Sequence, residues 1–283
     1  DTITFGTGTK TFTGDVTLNA GAVWNETGAA VVPFAGNLTN NATTFTASTG
    51  AHTFSGATKV LSGSTATVIP TVHITGNTSN TGTLTVATLL DVGDGITLTN
   101  TGTVTATTDL SDVGTTGTFV NSTNGTLNLG GTSTIGTLTA TASGNTVNFT
   151  QAGAQTAFPT AYRNLGLSGS GAKTMTSITT LTGDFTMSGS ATATTVMTTI
   201  DGNVSVTGTA VWTNGAANVV AGTLTVGTGA KLTMGNFALT FSSTSSITGT
   251  VDTATGATGT RTFTGAVTIN SGGVWDLSGQ NPV

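Results

Sequence analysis

Thr11 to Gly28 reads TFTGDVTLNAGAVWNETG, and Thr262 to Gly279 reads TFTGAVTINSGGVWDLSG. Both copies keep Phe, Gly, Val, Asn, Gly, Val and Trp in the same order, and each follows a basic residue, Lys10 or Arg261. Within a copy, short apolar runs such as Val16–Leu18 and Val23–Trp24 stand between Gly and Asn punctuation. Runs of three to five residues are too short for an independent hairpin sheet. They suit a coil that turns a corner every six to ten residues. Such a unit cannot bury its own apolar side, so neighbouring units must stack to make a core.

The rest of the chain has the same texture. Apolar runs at Thr2–Phe5, Val31–Phe34, Val72–Ile74, Leu84–Val86, Val104–Ala106 and Leu127–Leu129 alternate with Thr, as in Thr83-Leu84-Thr85-Val86. Roughly a quarter of the 283 residues are Thr, a β-branched residue that favours pleated strands. Gly, Thr and Asn interrupt every window in which a 3.6-residue period could be sought, so no ordinary helix is expected. The fold class read from this pattern is all-β: a parallel β-solenoid of about 14 rungs, each of roughly 20 residues. The competing reading is a string of β-sandwich domains, which use longer strands and larger aromatic cores. One continuous body over 1–283 is expected, with a local excursion around 145–175. There Phe149, Phe158, Pro159, Tyr162 and Arg163 gather, and a short helical turn is conceivable.

Composition narrows the role. Lys, Arg, Asp and Glu make up 6% of residues, against roughly 25% in ordinary soluble domains. A net charge of −5 offers no basic face for a phosphate backbone, which argues against a nucleic-acid partner. No window holds eighteen continuous apolar residues, so no membrane-inserted helix is expected. An uncharged surface rich in Thr, Asn and Gly fits an extracellular or cell-surface setting. The first residue, Asp1, suggests a processed product. Asn-x-Ser/Thr triplets at Asn25, Asn37, Asn41, Asn77, Asn121, Asn124, Asn148 and Asn203 are glycan acceptors only in a host that can use them.

The segments GNLTNNATTFTASTG (36–50), GTLTVGTGAKLTM (222–234) and YRNLGLSGSGAKTM (162–175) resemble the repetitive β-helical regions of large bacterial and archaeal surface proteins. Filamentous-haemagglutinin-like adhesins and autotransporter passenger domains are the nearest such families. The resemblance runs along nearly the whole chain in style, without one short motif that pins a family. It implies a β-helical shaft at a cell surface. The clustered catalytic residues of carbohydrate-cleaving β-helices are missing from the pattern.

Individual residues point to few sites. His52 and His73 are the two histidines and could meet if they stack on adjacent rungs, yet a two-His metal site lacks further ligands. Glu26 is the one Glu; Asp15 could partner it in a carboxylate pair. Asp91, Asp94, Asp109 and Asp112 lie in two acidic loops that could bind calcium through oxygen ligands; solvated turn aspartates are the plainer reading. The Gly-rich runs lack the Gly-Lys-Ser/Thr ending of a phosphate loop. The phrases Thr11–Thr13, Thr83–Thr85, Thr97–Thr99, Thr103–Thr105 and Thr223–Thr225 raise ice binding, but they recur at no fixed interval.

The expected role is therefore structural and non-enzymatic: a subunit of an extracellular filament that joins copies of itself head to tail. Open solenoid ends expose unpaired strand edges, and head-to-tail contact yields an open filament. The expected assembly residues are Thr2, Ile3, Phe5, Phe12 and Trp24 at one end, and Phe263, Trp275 and Leu277 at the other. Trp24 and Trp275 stand as equivalent anchors, and the Thr2–Phe5 strand enters the neighbour. The alternatives are the stalk of an adhesin that binds surface glycans or a host protein, an ice-binding protein, and a polysaccharide-degrading β-helix enzyme.

Overall fold

The computed structural model describes residues 1–279, and its regular elements are β-strands throughout. The fold is a parallel β-solenoid of short strands, and no helix occurs among the described residues. The chain divides into two compact units, Asp1–Asn145 and one that begins at Thr146.

In the first unit the strands fall into three rows. One row is Thr2–Phe5, Val23–Glu26 and Thr44–Thr46. The second runs Gly8–Thr9, Ala30–Phe34, Ala51–Phe54, Thr67–Ile74, Thr83–Val92, Thr103–Ala106 and Thr126–Leu129. The third starts with Val16–Leu18 and Leu38–Asn40 and continues through Lys59–Ser62, Thr78–Asn80, Thr97–Asn100, Thr118–Asn121 and Thr137–Thr139. In this unit two strands, Thr67–Ile74 and Thr83–Val92, exceed the expected three to five residues. Thr67–Ile74 joins what the sequence suggests as separate runs on either side of Pro70. Pro has no N–H to give to the ladder, and the register against Thr83–Val92 slips between Ile69 and Thr71.

Alternation sets the faces. In Thr103–Ala106, Val104 and Ala106 are buried while Thr103 and Thr105 face outward. Burying one Val or Leu completely is worth about 1.5–3 kcal/mol, and the inward positions repeat on every rung. Aromatic rings continue this stacking from rung to rung. Phe12, Phe34 and Phe54 stack at centroid separations of 5.4 and 5.2 Å, and Trp24 lies on Phe45 at 5.6 Å.

A buried line of asparagines ends the strands of the third row. Asn80 Nδ2 donates to Asn100 Oδ1 at 2.9 Å, and Asn100 Nδ2 donates to Asn121 Oδ1 at 2.9 Å. Each side chain also bonds backbone carbonyls: Asn80 those of Gly82 and Thr103, Asn100 that of Thr126, Asn121 that of Gly125. A buried amide without partners would cost about 1–3 kcal/mol, so position on the ladder is what allows Asn inside. The line stops at Asn80, whose register partner on the strand below is Leu61, itself paired with Leu38; Asn40 is also buried but lies two positions further along. Gly63, just past that strand, has φ of 118°, and a Cβ there would overlap the Asn40 carbonyl.

The second unit also has three rows. In one, Phe185, Val204, Leu224, Ser245 and Val267 are successive register partners, although the steps are 19, 20, 21 and 22 residues. The strands stay aligned and the corners absorb the extra residues. Between 145 and 175 the chain keeps to strands, at Thr146–Phe149, Gln155–Ala157, Asn164–Leu167 and Ser170–Met175. The loop before Asn164 is docked by Tyr162, whose ring is buried edge-on to Phe149 and whose hydroxyl donates to the Phe158 carbonyl at 2.5 Å. Lys173 is buried nearby, and its amine donates to the carbonyls of Gln151 and Gly153 at 2.6 and 3.0 Å. Burial lowers its pKa.

Candidate functional site

The exposed ends of the rows form the first candidate. In the first unit Thr2–Phe5, Gly8–Thr9 and Val16–Leu18 are the outermost members of their rows. Ile3 pairs in register with Trp24 and therefore faces the core side, yet it is 43% exposed. Phe5 and Phe12 are half-buried and 6.2 Å apart. In the second unit the outermost members are Arg261–Phe263, Val267–Ile269 and Val274–Asp276. Val267 and Ile269 align with the buried or inward Ser245 and Ile247 but are 38% and 49% exposed. Phe263 and Trp275 are half-buried with centroids 5.0 Å apart, and Leu277 is 40% exposed. These side chains point where a further rung would lie.

Trp24 does not belong to that surface. Thr2–Phe5 pairs outside Val23–Glu26, so Trp24 is one rung in and fully buried, with Phe5 edge-on at 4.9 Å. Trp24 and Trp275 are thus not equivalent in position: Trp275 sits in an outermost strand and Trp24 behind one. One edge of the Thr2–Phe5 strand pairs with Val23–Glu26 of its own chain.

Trp24 instead belongs to a buried polar cluster that the sequence reading missed. Its Nε1 donates to Glu26 Oε1 at 2.6 Å, the Ser48 amide donates to Glu26 Oε2 at 2.8 Å, and His52 Nε2 lies 3.0 Å from both carboxylate oxygens. His52 Nδ1 faces the Gly50 carbonyl at 3.0 Å. Both ring nitrogens therefore face oxygens. Burial alone would raise the pKa of Glu26, but the hydrogen bonds from His52, Ser48 and Trp24 outweigh it and hold the carboxyl below its usual value. A signal was present: Trp24 and Glu26 are two apart in a strand and so share a face. The position of His52 depends on register, which spacing alone does not give.

The other expected pairs do not form. Val72 aligns with His52, so His73 turns to the opposite face and pairs instead with Asp91, at 3.0 Å. Asp15 accepts from the Asn37 amide and side chain at an exposed corner, apart from buried Glu26. The four loop aspartates are engaged separately. Asp91 is buried beside His73 and the Val113 amide; Asp94 accepts from the Thr115 and Thr116 amides; Asp112 accepts from the Gly114 and Gly117 amides at 2.7 and 2.5 Å. Asp109 starts its own strand, Asp109–Ser111. Among the described residues no group of three or more His, Cys, Asp or Glu is placed to hold a metal ion; Asp91, Asp94 and Asp112 each make their own contacts. Asn121 is buried in the asparagine line, so its triplet is closed to glycan attachment.

The threonine phrases fare differently. In the first unit Thr83, Thr103 and Thr126 are register partners, as are Thr85, Thr105 and Asn128. On another row Thr97, Thr118 and Thr137 align, as do Thr99, Val120 and Thr139. All face outward, about 4.8 Å apart across strands and about 6.7 Å along them. The uneven sequence interval that argued against a lattice is taken up at corners, and the strands restore alignment.

No protein-family model, curated protein or solved structure matches the chain. No helix among the described residues is long and apolar enough to cross a membrane.

Proposed function

We propose that the chain is a non-enzymatic structural subunit of an extracellular filament or surface fibre that joins copies of itself head to tail. The carrying observation is that, among the described residues, both outermost edges leave core-facing side chains exposed or half-buried: Ile3, Phe5 and Phe12 on one, Phe263, Val267, Ile269 and Trp275 on the other. A parallel edge with free N–H and C=O groups is a template for another strand, and two unlike edges make a contact that propagates. The low charge and the resemblance to β-helical surface proteins support a place outside the cell. Sedimentation and electron microscopy of purified protein test this. Concentration-dependent end-to-end chains, lost in Ile3→Lys and in Ile269→Lys, are expected; discrete particles at high concentration would overturn the reading.

A second reading, ordered-water binding, is favoured by the two aligned threonine arrays of the first unit. Such arrays are uncharged and carry hydroxyls and methyls at a regular two-dimensional spacing. Inhibition of ice recrystallisation that disappears in Thr103→Lys/Thr105→Lys, with unchanged circular dichroism, is the expected result. Equal behaviour of native and variant protein would remove this reading.

A further inference from the structure

The geometry points to a binding cleft for a neutral sugar in the second unit, where two neighbouring strands part. Ser170–Met175 and Ser190–Thr195 are successive members of one row, but their register partners end at Ala172 and Thr192. Gly171 lies inside the first of these strands with φ of 71°, and a left-handed residue there bends the pleat. Past the bend, Lys173, Thr174 and Met175 align with Gln155, Thr156 and Ala157 on the earlier rung. Thr194 and Thr195 align with Thr213 and Asn214 on the later one. The gap left between the two strands is a cleft of about 270 Å³.

The backbone supplies part of the lining. Ser190 gives its N–H to Gly169 on the earlier rung, and Thr195 accepts from Gly215 on the later one. Alternation along a parallel strand therefore turns the N–H and C=O of Thr194 toward the cleft. A backbone donor and acceptor that meet no strand need another partner. Around them stand the exposed Thr174, Thr192 and Thr194 and the half-buried Thr213, with Val211 as an apolar wall. The lining carries no exposed charge, because the amine of Lys173 turns inward onto the Gln151 and Gly153 carbonyls. The ligand is accordingly neutral, and it must give hydrogen bonds as well as accept them. Hydroxyls do both. A sugar ring carries several on its rim and offers a C–H face to Val211 and the Thr methyls. The volume lies at the small end of ligand pockets, which suits one ring of a glycan. A peptide strand added to a sheet needs an open edge, whereas pairing at Ala172 and Thr192 closes this gap at one end. The cleft lies within one unit and does not depend on contact between copies.

Titration of isotope-labelled protein, followed by amide-resolved NMR, tests the site. The probes are the methyl glycosides of mannose, galactose and N-acetylglucosamine, each taken to tens of millimolar, and an acetylated, amidated trialanine peptide. Saturable shifts confined to amides 172–175 and 192–195 are expected with at least one glycoside. Affinity should fall about tenfold in Thr192→Val/Thr194→Val, which keeps the side-chain shape and removes two hydroxyls. Unchanged circular dichroism confirms that the variant is folded, and the native titration decides by itself where it is not. No saturable shift with any glycoside, or shifts on another face, overturns the site. Shifts in the cleft with the peptide and none with the glycosides overturn the ligand class. Equal affinity of native and folded variant overturns the part given to the threonine hydroxyls.

Discussion

Glu26→Gln removes one charge from the buried cluster and little volume. The carboxylate accepts from three donors, with Trp24 Nε1 on one oxygen, the Ser48 amide on the other and His52 shared between them. A carboxamide offers one oxygen, so its NH2 must face Trp24 Nε1 or the Ser48 amide, and His52 loses the carboxylate it shares between two oxygens. Removing one partner of a buried pair costs about 3–5 kcal/mol. The carboxamide keeps one acceptor oxygen in the cluster, which places the expected cost near the lower figure, about 3 kcal/mol. At 1.4 kcal/mol per factor of ten, that is about a hundredfold faster local opening. A coil whose rungs contact only their neighbours opens locally, so amide hydrogen exchange resolved by peptide is the suitable assay. Peptides spanning 23–54 should lose about two decades of protection, while those beyond Val204 change little. The pH dependence has a definite sign. The folded pKa of Glu26 lies below its ordinary value, so its contribution is complete above about pH 4.3 and is lost as pH falls through the folded pKa. The gap between native protein and Glu26→Gln should therefore close in acid. A change of less than about threefold at neutral pH would refute the role given to this cluster.

Further outcomes follow from other contacts. Asn100→Ala deprives the Thr126 carbonyl and the neighbouring Asn80 and Asn121 side chains of partners, and should cost about 2–4 kcal/mol in exchange protection of 78–126. Trp212→Phe leaves the buried Thr195 hydroxyl without the indole N–H that lies 2.8 Å from it, and a loss of about 1–2 kcal/mol is expected by the same assay. Gly63→Ala should lower expression yield and melting temperature, because its positive φ and the Asn40 carbonyl both oppose a Cβ. Lys173 has a depressed folded pKa from burial. The unfolded chain therefore binds the extra proton between the folded pKa and about 10.4, and stability should rise with pH across that window. Thermal melts from pH 7 to 10 should show that rise in the native protein and its loss in Lys173→Met.

Much of this fold is legible in the sequence because strand chemistry is local. Thr2–Phe5 and Val16–Leu18 are strands as expected, since alternation and flanking Gly suffice to mark them. Register is not local. It turns His73 away from His52, places Asp91 under His73, and aligns Thr83, Thr103 and Thr126 across steps of 20 and 23 residues. The recurring motif signals stacking, but it does not show that Thr2–Phe5 lies outside Trp24. The asparagine line could have been suspected from the strand-ending Asn80, Asn100 and Asn121, whose Asn would be disfavoured in a core without one another. The line covers three strands only, since the column continues below Asn80 as Leu61 and Leu38, and a strict repeat search would not reveal it.

The asparagine line has a polarity as well as a packing role. Asn80 gives to Asn100 and Asn100 gives to Asn121, so the amide dipoles point the same way. Each bond polarises the next, as in other hydrogen-bonded chains. The row is a short chain of aligned amide dipoles within the core, with a donor sense that runs toward later rungs. A break at Asn100 is consequently felt by side chains above and below it. A rung inserted in the opposite sense would meet donor with donor, so this line ties chain direction to stability independently of the backbone ladder.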